Sequence, residues 1–377
     1  MLSLRQEITG LKAYSPGLSI AEIQKKYGLS RVIKMASNEN PLGLPPLARE
    51  ALMRHAAEAF RYPQGGNPRL VEALAARHAV DPATLAVGNG SDEIIDLLIR
   101  ILAVPGKHNL VCFSPCFSIY PIQGQICGVE IRRCKLAEDF RFDFDSLLEA
   151  VDQNTRLVFV TTPDNPSGHC PPRTAVLRLA QNLAERAPDC LLVIDEAYMD
   201  FAGDEKAHSL LTAGILPHNT ACLRTFSKCF GLAGLRVGYA VLPREIADGF
   251  WRARLPFSVN ILAEEAALAA LRDTEFLAAS REAVLSGRAA LHAGLEALGC
   301  RVWPSEANFL MFRTPEGAPT AAHCFETLLK SGIIIRPLAS YGLPDHLRVS
   351  VGDPQENRVF LDAMSRICAA APSGRPS

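Results

Sequence analysis

Short apolar runs that each end in a polar, glycine- or proline-bearing loop recur along this chain, and no other feature constrains its fold as strongly. The clearest runs are residues 85–87, 110–113, 157–160, 191–194, 221–223 and 237–241. They are too short for helices, and they are apolar at consecutive positions, as strands covered on both faces must be. Amphipathic stretches lie between them. Ile94, Ile95, Leu97, Leu98, Ile101 and Leu102 fall on one helical face, and residues 176–187 repeat the pattern. This alternation predicts an α/β fold on a parallel or mixed sheet.

From about residue 246 the texture changes. Residues 259–298 are rich in Ala, Leu, Glu and Arg with few breakers, which predicts long helices leading to a second unit. Strand-like 308–312, a helix near 320–331, strand-like 333–335 and 347–351, and a last helix near 354–369 complete a smaller α+β unit. The tail 371–377 (A-P-S-G-R-P-S) is expected to be disordered. A chain of 377 residues is long enough to bury both cores.

Composition excludes several function classes. Thirty-nine Lys+Arg against 40 Asp+Glu give a formal charge of −1, so no overall basic field is available for nucleic acid or an anionic membrane. No apolar run approaches the ~18–20 residues of a membrane span. The opening M-L-S-L-R-Q-E-I has no signal-peptide pattern, and a cytoplasmic protein is expected. The eleven cysteines are odd in number and form no C-x-x-C, which argues against a zinc site or a disulfide framework. They are expected to be reduced structural thiols, and no metal is expected.

The polar clusters follow directly on the apolar runs: G-N-G-S-D-E after Val87, S-P-C-F after Phe113, T-T-P-D-N-P-S-G after Val160, D-E-A-Y after Ile194 and R-T-F-S-K after Leu223. Ligands of open α/β sheets bind outside the carboxyl ends of the strands, so these five loops define one site. The loop 88–93 enters a helix whose free N–H groups can receive an anion, although Ser91 as a simple N-cap explains it equally well. It is neither the dinucleotide fingerprint nor a Walker A loop. Asp195 ends a fully apolar run, where an ionised carboxylate needs a cationic partner. Lys228 follows Thr225 and Ser227 and precedes the apolar F-G-L-A-G-L, in a chain with only nine lysines. Desolvated near Arg236, it would have a lowered pKa and act as a nucleophilic amine.

These motifs, S-N-E-N-P (37–41), R-Y-P (61–63), G-N-G-S-D-E, D-N-P-S-G (164–168), D-E-A-Y (195–198) and S-K-C-F-G-L-A-G-L-R (227–236), resemble those of fold type I pyridoxal-phosphate-dependent aminotransferases. Y-S-P-G (14–17), residues 32–43, P-F-S-V-N (256–260) and residues 336–352 are similar to the histidinol-phosphate aminotransferase family, over about residues 4–370. The resemblance implies a large domain with a mostly parallel seven-stranded sheet over 41–260. It further implies an N-terminal arm over 1–40, and linking helices with a small α+β domain over 261–377.

It also implies site roles. Lys228 would hold pyridoxal 5'-phosphate covalently and shuttle a proton. Asp195 would pair with the protonated pyridine nitrogen, Tyr198 and Asn165 would hydrogen-bond the phenolic oxygen, and Phe117 would stack on the ring. The backbone amides of Ser91 and Asp92, with Thr225, Ser227 and Arg236, would bind the phosphate. Tyr62 would reach the phosphate in the neighbouring subunit, which implies a homodimer with shared sites. Tyr14, Arg336 and Arg348 would bind substrate. The expected reaction is transamination of L-histidinol phosphate with 2-oxoglutarate in histidine biosynthesis. An aromatic amino acid aminotransferase and a threonine-phosphate decarboxylase-like enzyme are the alternatives. A ligand-sensing regulator on the same fold would need a DNA-binding module, which no basic patch supports.

Overall fold

A computed structural model of the chain describes residues 2–11, 17–214 and 216–369. Its centre is a seven-stranded sheet. In spatial order the strands are Leu85–Gly88, Gly238–Val241, Thr220–Thr225, Leu191–Asp195, Thr155–Thr161, Asn109–Ser114 and Glu130–Lys135. All pairings are parallel except the two made by Gly238–Val241. The mostly parallel α/β architecture is therefore the one expected.

Both sheet faces are covered, which is why the strands read as unbroken apolar runs. Leu110, Cys112, Leu157 and Phe159 pack on one face with Ile94, Ile95 and Leu98 of helix Ser91–Leu102. Val111, Phe113, Val158 and Val160 pack on the other with Val176, Leu179 and Leu183 of helix Arg173–Arg186. Each such fully buried side chain contributes roughly 1.5–3 kcal/mol of transfer free energy.

The Glu130–Lys135 strand is absent from the apolar runs. It is an edge strand with charged residues at four of six positions (E-I-R-R-C-K), and only Cys134 is buried. Edges are kept polar in this way, which erases the signal that marks the central strands.

The second unit is a four-stranded antiparallel sheet in the order Arg336–Pro337, His346–Ser350, Phe309–Arg313, Arg301–Val302. Helices Thr274–Ala297 and Pro354–Ala369 cover it, burying Val284, Leu291, Phe360 and Met364 against Leu310, Phe312, Leu347 and Val349. The single strand expected over 333–335 is corrected. Ile333–Ile334 pairs in parallel with Ile33–Lys34, while Arg336 belongs to the separate antiparallel strand. The N-terminal segment is thereby threaded along the small unit. The Met35 carbonyl accepts from Ser350 N–H (2.8 Å), and this brings Asn38 to the junction of the two sheets. The tail 371–377 lies outside the described residues.

Candidate active site

The five loops converge as expected at the carboxyl edge of the large sheet. Ser91, Asp92, Phe117, Asn165, Asp195, Tyr198, Thr225, Ser227, Lys228 and Arg236 all line one cavity of about 140 Å³.

One end of the cavity is an anion cradle. Gly90 caps helix Ser91–Leu102, which corrects the reading of Ser91 as N-cap: Ser91 is the first helical residue, and no side chain caps this end. The turn requires glycine, because φ at Gly90 is +79° and a Cβ there would lie 2.5 Å from Arg236 Nη2. The Ser91 and Asp92 N–H groups start a helix of twelve residues, where the helix dipole favours negative charge. Arg236 donates to Asp92 Oδ2 (2.9 Å) and reaches Ser227 Oγ (3.4 Å). Thr225 Oγ1 donates to Ser227 Oγ (3.0 Å). Two hydroxyls, a guanidinium and a helix N-terminus thus face one spot, a fit for a phosphate.

Asp195 lines the same cavity. Its Oδ2 accepts from Tyr120 OH (2.8 Å) and its Oδ1 from Ala197 N–H (3.1 Å). Both donors are neutral. Burial pushes the carboxyl up to about 6, although the Tyr120 bond and the Ala197 N–H oppose the shift. A buried carboxylate held this way fits a cationic ring nitrogen, which would restore its charge.

Tyr198 follows three residues on. Its hydroxyl accepts from Asn38 Nδ2 (3.1 Å) and Asn165 Nδ2 (3.4 Å). Arg348 donates from Nη1 to Asn165 Oδ1 and from Nη2 to Ala36 O (2.9 Å), so the small unit and the N-terminal segment both reach the cavity. Arg348 Nε is buried without a partner, so this guanidinium retains a donor.

Lys228 Nζ lies 3.4 Å from Ser37 O and 5.6 Å from the Tyr198 ring centroid. Enclosure and the positive charge of Arg348 push its ammonium down to about 8. As pH rises through that value the group loses its proton and becomes a nucleophile. In the cofactor-free protein, Lys228 should therefore reach half its full reactivity toward an amine-directed reagent near pH 8, against ~10.4 for an ordinary exposed lysine. Peptide mapping of the labelled protein across pH 6–11 checks this.

Arg348 meets the cavity only through Asn165, and two further expected residues, Arg336 and Tyr62, do not line it. Arg336 lines an adjoining cavity of about 790 Å³ with Arg133, Cys116, Ser118 and Tyr341. Its Cα is the register partner of Arg348, so the two guanidiniums leave the same face of the small sheet. Tyr62 is 81% exposed and stacks on Phe257 (4.8 Å between centroids) away from the cavity. Tyr14 lies outside the described residues.

Tyr120 and Asn38 escaped sequence reasoning. Tyr120 stands three residues beyond S-P-C-F and Asn38 within S-N-E-N-P, but their roles depend on contacts across 75 and 160 residues of sequence. Among the described residues no cluster of three or more His, Cys, Asp or Glu could hold a metal. No helix there is long and apolar enough to cross a membrane, and the cysteines are free.

Comparison with known proteins agrees with this geometry. The sequence model of the family "Aminotransferase class I and II" matches residues 30–364. A histidinol-phosphate aminotransferase of Nitratidesulfovibrio vulgaris is 58% identical over 97% of this chain and 96% of the relative. One of Oleidesulfovibrio alaskensis is 54% identical over 95% and 93%. Among solved structures, the histidinol-phosphate aminotransferase of Sinorhizobium meliloti in complex with pyridoxal-5'-phosphate superposes with a TM-score of 0.87. It is 26% identical and covers 97% of this chain and 98% of its own.

Proposed function

The chain belongs to the class I and II aminotransferases and, within them, to the histidinol-phosphate aminotransferase family, and from that premise we propose that it carries the amino group of L-histidinol phosphate to 2-oxoglutarate. The products are imidazole acetol phosphate and L-glutamate. The observation that carries the reading is one cavity that brings together a buried carboxylate with only neutral hydrogen-bond donors, an anion cradle and a depressed-pKa lysine.

The enzyme depends on pyridoxal phosphate, which when bound supplies an electron sink for the carbanion left as the substrate's Cα–H bond breaks. The chain's own residues do the rest. Ser91 and Asp92 N–H, Thr225, Ser227 and Arg236 hold the phosphate, and Phe117 supports a ring face. Asp195, ionised opposite the ring nitrogen, keeps a proton there. Tyr198 and Asn165 orient the phenolic oxygen. Lys228 anchors the cofactor and, as a free neutral amine, accepts the Cα proton.

A transaminase must receive two substrates in turn. Glutamate presents an α-carboxylate where histidinol phosphate presents a phosphate ester, and both are anions. Arg348 serves both, whereas Arg336 adds a second positive charge that a dianion uses better than a carboxylate. Arg336→Ala should raise KM for histidinol phosphate at least ~10-fold while changing KM for glutamate less than ~3-fold, and Arg348→Ala should damage both. Steady-state kinetics with each substrate tests this; equal effects of Arg336→Ala on the two substrates would contradict it.

The functional unit we propose is a homodimer in which Tyr62 serves the partner's phosphate site. Its exposure on Phe257, beside exposed Phe60 and Leu255, supports a docking face. Two inactive variants, Tyr62→Ala and Lys228→Ala, should then regain activity when mixed and allowed to exchange subunits, because one hybrid site carries both native residues. No recovery despite proven exchange would count against shared sites. The proposed division is an arm over 1–40, a cofactor-binding domain over 41–260 and a smaller domain beyond, acting in the cytoplasm.

A further inference from the structure

Directly behind the cofactor site lies a second polar cluster that the reaction does not use. Arg224 is 2% exposed, among the largest fully buried side chains of the protein. Its Nε donates to Glu196 Oε2 (2.9 Å) and its Nη2 to Ser209 Oγ (2.9 Å) and Glu205 Oε1 (2.8 Å), while Nη1 reaches Asp200 Oδ1 (3.3 Å). Glu196 is wholly buried and fully engaged. Its Oε2 also accepts from Ser209 Oγ (2.8 Å) and its Oε1 from Leu210 N–H (2.8 Å).

The placement of this cluster is specific. Side chains alternate across a strand, so Arg224 leaves the face opposite Thr225, and Glu196 follows Asp195 at the end of the neighbouring strand. The two strands run parallel, with Asp195 in register with Leu223, and Glu196 N–H donates to Leu223 O (2.9 Å). One strand delivers Asp195. The other delivers Thr225, Ser227 and Lys228. The segment 196–210 that wraps Arg224 delivers Tyr198. The ion pair therefore joins, from behind, the three stretches that must hold the cofactor's ring, phosphate and lysine in one geometry.

Burial of such a pair is a weak source of stability, because desolvation offsets most of the attraction. Apolar side chains could fill the same volume without that cost, but they lack the directional bonds that fix one chain against another. We propose that the Arg224–Glu196 pair, with Ser209 between its members, is a positioning element that sets Asp195 and Tyr198 against Lys228 for proton transfer. The proposal rests on the roles given above to Asp195 and Lys228. Displacements of about 1 Å at a reacting centre can cost ~100-fold in rate, so small losses of registration should be visible.

The test is a graded series in the cofactor-loaded enzyme: Ser209→Ala, Glu196→Gln and Arg224→Lys, each close to the native volume. Measured together are kcat and KM for both substrates, the pH midpoint of the lysine-bound cofactor's absorbance, and the thermal midpoint. The expected result is a fall in kcat of ~3-fold for Ser209→Ala and ~10-fold or more for the other two, with each KM within ~3-fold and the spectral midpoint displaced by about half a pH unit or more. A purely structural pair would lower only the thermal midpoint, leaving kcat and the spectral midpoint of the folded enzyme unchanged, and that outcome overturns the proposal. Ser209→Ala removes a single hydroxyl and keeps the test decisive should the ion-pair variants fail to fold. Failure of the underlying reading would be seen earlier, as a wild type without turnover or without a lysine-bound absorbance band.

Discussion

Lys228→Ala is expected to lower turnover by ~10⁴-fold or more and to abolish covalent retention of the cofactor, leaving a folded protein without the lysine-bound absorbance band. The expectation follows from two properties of one side chain. Lys228 is the amine that lines the cavity with the anion cradle and Asp195, and its environment already depresses its pKa to about 8. The neighbouring cations, Arg348 and Arg236, cannot replace it, because a guanidinium keeps its proton at any working pH. Single-turnover kinetics and absorbance spectroscopy on the purified variant check both parts. A Lys228→Ala protein that still turns over and still holds the cofactor covalently would contradict the assignment.

Asp195→Ala should lower kcat by ~10³-fold, about 4 kcal/mol of transition-state stabilisation, because the ring nitrogen loses its counter-charge in a site screened from water. Its effect on folding runs the other way. Without the cofactor, burial holds the Asp195 carboxyl near 6, above its ordinary value, so an ionised Asp195 at pH 7 is a cost to the folded state. That cost shrinks as pH falls through 6 and vanishes when the carboxylate is removed. The cofactor-free variant should therefore unfold at a temperature no lower than the cofactor-free parent at pH 7–8, while retaining the cofactor less well. Calorimetry with and without pyridoxal phosphate separates the two effects.

Much of this site was legible in the sequence because most of its chemical groups lie in the short loops that directly follow the apolar runs. Asp195 ends L-L-V-I-D, Thr225 ends T-A-C-L-R-T, and the parallel sheet places those ends side by side. What escaped depends on partners distant in sequence. Tyr120 reads as an aromatic core residue, and only the fold sets its hydroxyl on Asp195 and on Thr161 Oγ1 (2.7 Å). Arg224 and Glu196 sit beside two recognised residues, yet alternation turns them to the opposite face, where their pairing needs both strand ends at once. The Glu130–Lys135 strand was hidden by its polar edge, and Arg336–Pro337 by its length of two residues. Arg336 and Arg348 were named separately; their adjacency in register is a property of the small sheet alone.

A panel of amino donors on the purified wild type identifies the substrate. Histidinol phosphate, phenylalanine, tyrosine and threonine phosphate are each offered with 2-oxoglutarate, and kcat/KM is measured by glutamate formation. The highest kcat/KM is expected for histidinol phosphate, by ~10-fold or more over the phosphate-free aromatic amino acids, since only a phosphate engages both Arg336 and Arg348. A preference for phenylalanine or tyrosine, or release of carbon dioxide from threonine phosphate without glutamate, would contradict it.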